Sequence, residues 1–183
     1  MTKKEALNQL YRQPLKQGAP PYSAYERFVP GEGNPDAPLL LIGEAPGAKE
    51  SELGRPFVGA SGTLLRKLLQ KAGFDEEDYF ITNIVKRRPP KNRTPLPDEL
   101  AYCFNQYLEK EIDILKPALI ATLGASSLKG MLPDAQKISC IHGTICSYKG
   151  IPLVPLYHPA YAIYQRETLQ TLFDDIVKLR SIV

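Results

Sequence analysis

Leu39-Leu40-Leu41-Ile42-Gly43-Glu44-Ala45-Pro46-Gly47 is the stretch whose reading decides the fold. Its four apolar residues are too short a run for a helix and show no polar alternation, so they fit a strand covered on both faces. Gly43 closes the strand, and Pro46 with two glycines makes a tight turn after it. Outward from this strand the pattern recurs. Tyr79 to Val85, Ala118 to Leu123 and Ile151 to Leu156 read as further core strands, and Ile145 to Tyr148 as a side strand before Lys149-Gly150. Between them lie helical periods. Ser61 to Ala72 carries Leu64, Leu65, Leu68 and Leu69 on one stripe, and Pro97 to Leu115 turns Leu100, Cys103, Phe104, Tyr107, Leu108 and Leu115 inward. A short helix over 125–132 and a last one from about Glu167 complete the set. Strands alternating with helices predict an α/β fold, a three-layer αβα sandwich around a central, mostly parallel four-stranded sheet.

The 183 residues fit a single domain over 1–183. Within it, 1–37 hold an N-terminal helix, opened by the capping-box spacing of Thr2 and Glu5 and ended by Pro14, and then an irregular Gly- and Pro-rich connection. With 43% hydrophobic and 23% charged residues the chain can build a core, which excludes a disordered or coiled-coil protein. No apolar run approaches the ~18 residues of a membrane span. The charged start Met1-Thr2-Lys3-Lys4-Glu5 has no apolar stretch behind it and is no secretory signal. A net charge of +3 is too small to argue for nucleic acid by itself. Cys103, Cys140 and Cys146 are odd in number and lack CxxC spacing, so they read as buried small hydrophobes of a reducing compartment. The expected protein is a cytoplasmic monomer, nucleoid-associated if prokaryotic, with no membrane partner.

In parallel sheets ligands sit beyond the carboxyl ends of the strands, which directs attention to four loops. After Ile42, the Gly43–Gly47 turn runs on to Gly54-Arg55-Pro56-Phe57-Val58-Gly59. Its backbone N–H groups can face a ligand. Glu44 stands where a carboxylate orients or deprotonates water, or simply caps a helix. Neither GxGxxG nor a P-loop is present. After Ile81 comes Asn83, a polar amide in an apolar strand, and then Lys86-Arg87-Arg88-Pro89-Pro90-Lys91-Asn92-Arg93. Five of these eight residues are basic, a proline-stiffened run suited to phosphates, or a solvated face. After Leu123, Ser126 and Ser127 open a helix as phosphate ligands or plain N-caps. After Leu156, His158 precedes Pro159. His142 reads as structural or surface.

Together these residues resemble the uracil-DNA glycosylase superfamily, most closely its family 4. The matching blocks are GEAPG at 43–47, GRPFVG at 54–59, TNIVK at 82–86 with RPPKNR at 88–93, LGASSL at 123–128 and HPAY at 158–161. The similarity runs from about Val29 to the C-terminus. It implies an enzyme that flips uracil out of DNA, single- or double-stranded, and hydrolyses its N-glycosidic bond to leave an abasic site. By resemblance the catalytic residues are Glu44 and His158, and Gly43, Ala45, Glu50, Phe57 and Asn83 bind uracil. In that role Phe57 stacks on the ring, Asn83 reads its edge, and Glu50 crowds a thymine methyl. Lys86, Arg87, Arg88, Lys91, Arg93, Ser126 and Ser127 would contact DNA. Ala162, Ile163 and Tyr164 would enter its groove.

Family 4 also implies a [4Fe–4S] cluster on four cysteines. Here residues 1–40 contain no cysteine, Arg87 occupies the third ligand position, and only Cys103 matches the fourth. No cofactor and no metal are therefore expected. Cys103 should be buried, with Tyr11 or Leu15 beside the stem of Arg87, which in turn points outward to DNA. Ser51, His142 and Tyr164 stand where Asp, Arg and Arg are usual. Two other readings stay open, a non-catalytic nucleic-acid binding module on the same fold and a glycosylase for hypoxanthine or xanthine.

Overall fold

The computed structural model describes residues 1–12 and 27–183. In chain order the elements are α1 (Lys3–Tyr11), β1 (Glu32–Gly33), β2 (Leu39–Gly43), α2 (Ala48–Leu53), α3 (Ala60–Lys71), β3 (Tyr79–Asn83), α4 (Pro97–Cys103), α5 (Glu109–Leu115), β4 (Leu119–Leu123), α6 (Ala125–Met131), α7 (Ile138–Ile141), β5 (Cys146–Tyr148), β6 (Ile151–Leu156), α8 (Pro159–Ala162) and α9 (Arg166–Leu179). Among the described residues the sheet has six strands, ordered β1-β3-β2-β4-β6-β5. The expected four parallel strands form its centre, and antiparallel β1 and β5 add an edge on each side. The four-stranded expectation thus becomes a mixed six-stranded sheet. Glu32–Gly33 is too short to show as a strand in sequence.

Every residue of β2, β3 and β4 is buried, as their apolar runs require. Period-two alternation divides the side chains between two cores. Leu39, Leu41, Tyr79, Ile81, Leu119, Ala121, Val154 and Leu156 meet Leu65, Leu69, Leu172, Ile176 and Leu179 of α3 and α9. Leu40, Ile42, Phe80, Ile120 and Leu153 meet Leu7, Ile112, Leu115 and Leu128 of α1, α5 and α6, with Leu108 just before α5. Helices therefore cover both faces. No helix among the described residues is long and apolar enough to cross a membrane.

The helix expected over 97–115 is one rod with a wider turn inside it: a π-helical segment, Phe104–Leu108, joins α4 to α5. The wide turn keeps both Tyr107 and Leu108 buried beside Glu111. Lys116 ends the rod with φ 48, just before Pro117. The helix α2 went unforeseen because six residues reading AKESEL carry no apolar stripe. Asn83 is not mid-strand: β3 stops there, two residues early, which places its amide at the carboxyl edge of the sheet. Leu41 is wholly enclosed at the centre of the sheet. Leu41→Ala should destabilise the fold by about 2–5 kcal/mol, measured by urea unfolding.

Candidate active site

At the carboxyl edge three of the four loops converge on a cavity of about 350 Å³. The loop after β2 supplies Glu44, Ala45, Pro46 and Gly47, the end of β3 supplies Asn83, and the loop after β6 supplies His158. Ile84 N–H donates to Gly43 O and Val85 N–H to Glu44 O, both at 3.0 Å, so the first two loops are laced together. The loop after β4 stays outside. Gly124 and Ala125 line a neighbouring cleft on the other side of His158.

Glu50, near the middle of α2, builds the cavity's far wall. Its Oε1 accepts from Val58 N–H at 2.9 Å and from Gly59 N–H at 2.7 Å, capping α3, which has no side-chain N-cap of its own. This clamp holds Phe57 in the left-handed region, φ 53, where a bulky residue is strained. Gly62 of α3 admits the turn, because a side chain there would collide with the Phe57 backbone. At the other end of the ring, a side chain at Gly43 would collide with both Asn83 Oδ1 and Phe57 Cζ. The aromatic ring and the amide therefore converge over a bare glycine.

His158 caps α8, and Ala160 N–H donates to its Nδ1 at 3.1 Å. That bond makes Nδ1 an acceptor and assigns the ring proton to Nε2. Burial pulls the His158 pKa below its ordinary 6.5, so the imidazole is neutral at pH 7. Its ring lies 6.3 Å from that of Phe57, centre to centre. Glu44 is half-buried on the same cavity.

The basic run divides. Lys86 is 1% exposed, and its ammonium sits 2.7 Å from both oxygens of the buried Glu111, so it cannot meet a phosphate. Arg93 grips Glu99 with both terminal nitrogens, at 2.9 and 2.7 Å. Arg87 is half-buried, with its charge acting on Cys103 and Tyr107. Its Nε is enclosed, which departs from the outward setting expected. Arg88, held by Asn92 Oδ1 at 2.7 Å, and the exposed Lys91 face solvent. Ser127 is buried and donates to Gly124 O, which corrects its phosphate reading, while Ser126 is half-exposed. Ala162 packs into the core, so it does not enter a groove. Ile163 and Tyr164 are exposed, and so is Tyr161, which sequence reading passed over.

A profile of the uracil DNA glycosylase superfamily matches residues 30–179. The chain belongs to that superfamily. It is 41% identical over 163 residues to the type-4 uracil-DNA glycosylase of Sulfurisphaera tokodaii, covering 84% of this chain and 74% of that protein. It is 40% identical over 160 residues to the type-4 uracil-DNA glycosylase of Thermotoga maritima, covering 85% and 82%. A type-5 uracil-DNA glycosylase of Thermus thermophilus is 39% identical over 127 residues, covering 61% and 56%.

The residues present do not fit the four-thiolate iron–sulfur cluster that a type-4 glycosylase implies. The chain has three cysteines in all. Cys103 is buried, Cys140 is exposed on α7, and Cys146 lies on the edge strand β5. Burial pushes the Cys103 thiol up, away from the thiolate a metal needs, and the Lys86 backbone donates to its sulfur. Among the described residues no three His, Cys, Asp or Glu side chains gather to hold a metal ion. Of the residues expected to pack here, Tyr11 hydrogen-bonds Glu111, and Leu15 lies outside the described residues. Glu111 could have been found in sequence: it continues the inward stripe four residues after Tyr107.

The lowered His158 pKa has a sign. Its contribution to stability is present above about pH 6.5 and is lost as pH falls through the depressed folded value. Wild type should therefore lose stability relative to His158→Asn between pH 7.5 and pH 5 in urea unfolding. A constant difference across that range would contradict the half-buried neutral imidazole.

Proposed function

We propose that this chain removes uracil from DNA by hydrolysing the N-glycosidic bond of a flipped-out nucleotide, leaving an abasic site. The observation that carries this is the convergence of Phe57, Asn83 and His158 on one cavity, over Gly43, in a member of the uracil-DNA glycosylase superfamily. The activity of the type-4 relatives, at about 40% identity over most of the chain, supports it. Phe57 stacks on the uracil ring. The Asn83 amide oxygen accepts from N3–H and its NH₂ donates to O4. Cytosine presents the opposite pattern at both positions and leaves buried groups unpaired, at about 1–3 kcal/mol each.

Bond cleavage puts negative charge on the uracil O2 and positive charge on the sugar. The neutral His158 donates from Nε2 to O2, together with backbone N–H groups of residues 43–47, in an oxyanion-hole role. A neutral donor loses less to a full pocket than a buried imidazolium would, because no uncompensated cation has to be desolvated before the reaction. Glu44 orients the attacking water and faces the developing cation. Glu50, fixed by two backbone bonds, is a rigid wall against a 5-methyl group. Arg88, Lys91 and Ser126 hold phosphates, and Ile163, Tyr164 and Tyr161 support the emptied stack.

The chain works without an iron–sulfur cluster on this reading, as a monomer in the cytoplasm. Of the four ligand positions only one holds a cysteine, Cys103, and this supports the absence of the cluster. An excision assay over duplexes carrying uracil, thymine, hypoxanthine, xanthine or an abasic control tests the activity. Release of uracil alone is expected, and release of hypoxanthine but not uracil would overturn the assignment. Asn83→Asp should lower uracil excision by orders of magnitude, since a carboxylate cannot donate to O4 and repels the forming anion. Arg88→Ala and Lys91→Ala should each reduce the slope of log K against log salt by about 0.9 on duplex DNA, with base preference unchanged.

A further inference from the structure

The buried ammonium of Lys86 has a use that neither phosphate binding nor packing explains. Nζ donates to Thr82 Oγ1 at 2.6 Å, to the Asn83 backbone oxygen at 2.8 Å, and to both Glu111 carboxylate oxygens at 2.7 Å. An ammonium has three N–H groups, so this set spends all of them. Glu111 is 0% exposed and also accepts from Tyr11 Oη–H at 2.6 Å and from the Thr82 hydroxyl at 3.2 Å. Tyr11 Oη in turn accepts from Gly31 N–H at 3.2 Å. A charged pair taken out of water is retained only where such partners are complete, and an apolar pair of similar volume would hold the layers together as well. Something must therefore require a donor at this place.

The requirement lies in the sheet. Alternation turns the even residues of β3 toward β2, as Ile84 N–H to Gly43 O shows, and the odd residues toward β1. The strand β1 is two residues long and its register ends at Ile81. Asn83 lies two residues beyond, so its carbonyl points past the end of the edge strand into the interior. Among the described residues no ladder partner reaches it. The Lys86 ammonium does, from a position three residues further along the same chain. The amide that converges with Phe57 over Gly43 is thus carried on a peptide whose carbonyl is fixed by a buried cation.

We propose that Lys86 is a positioning residue: by holding the Asn83 carbonyl it sets the read-out amide against the base, with Glu111 and Tyr11 holding Lys86 in turn. This rests on the reading of Asn83 as the uracil read-out group. Burial pulls the Lys86 pKa down, and the Glu111 carboxylate opposes that shift. The docking of α1 through Tyr11 then contributes to base selection from the far side of the helical layer.

The deciding variant is the apolar pair Lys86→Met/Glu111→Leu, measured in uracil-duplex excision together with urea unfolding and binding to uracil-free duplex across a salt series. We expect a folded protein, an unchanged salt slope and KM, and a fall in kcat of roughly tenfold or more. In an Asn83→Ala background the same pair should add little further loss, since both act through one contact. Wild-type kcat in a folded Lys86→Met/Glu111→Leu variant would overturn the proposal, and so would a reduced salt slope, which would return Lys86 to the phosphates. If the pair does not fold, Tyr11→Phe carries the test: a several-fold lower kcat at unchanged KM supports the proposal, and an unchanged kcat overturns it. Asn83→Ala alone separates the two readings. Native uracil excision by that variant removes Asn83 from read-out, whatever Lys86 does.

Discussion

The contact between the Lys86 ammonium and the Glu111 carboxylate, wholly inside the protein, joins the parts that the site depends on. On one side it reaches the last residue of β3, and on the other it reaches α5 and, through Tyr11, α1. Removing two charges from water costs several kcal/mol per ion, and the cost is offset only because Thr82, Asn83 and Tyr11 complete their hydrogen bonds. Val29 N–H donates to the Lys86 backbone oxygen at 2.7 Å, so the same residue also fastens the segment leading into β1. The ring pair Phe28–Tyr107, edge to face at 5.2 Å, packs in the same region. One side of the cavity is thereby built on a polar knot rather than on more hydrophobic area.

The opposite wall follows a second economy of the same kind. Glu50 gives one carboxylate oxygen to two backbone N–H groups, and in doing so it both caps α3 and locks the strained turn at Phe57. Strain of this kind persists only where the surroundings over-determine it, and it gathers at functional sites. The two walls meet over Gly43, where no side chain has room. His158 closes the third side with its tautomer assigned by a backbone bond. Asn83, the Phe57 turn and the His158 ring are thus each fixed by a hydrogen bond that involves backbone.

The layers were legible in sequence because they rest on periodicity. Leu39-Leu40-Leu41-Ile42 could hardly be anything but a doubly covered strand, and the stripes of α3 and α9 pointed inward as spaced. The loops that carry the cavity were legible through position, since Glu44, Asn83 and His158 all lie at or just beyond the carboxyl ends of strands. What failed was the assumption that charge faces water. Lys86 and Arg93 look like the rest of a basic run of eight residues, yet they find carboxylates, Glu111 on α5 and Glu99 on α4. Tertiary partners of that kind are invisible to a local reading. Ala162 was misplaced for a related reason: a four-residue helix after Pro159 turns it into the core and turns Tyr161 and Ile163 out, a rotation no short stretch of sequence specifies.

The central claim is that a glycosylase pocket of this geometry works without the metal cluster that its type-4 relatives' resemblance implies. It is tested most directly by measuring iron and uracil release on the same purified sample. Single-turnover excision from a uracil duplex should follow the protein peak, while elemental analysis finds far less than one iron per chain and the solution shows no visible absorbance. Stoichiometric iron, or excision that is lost on removing iron and restored with it, would contradict the account.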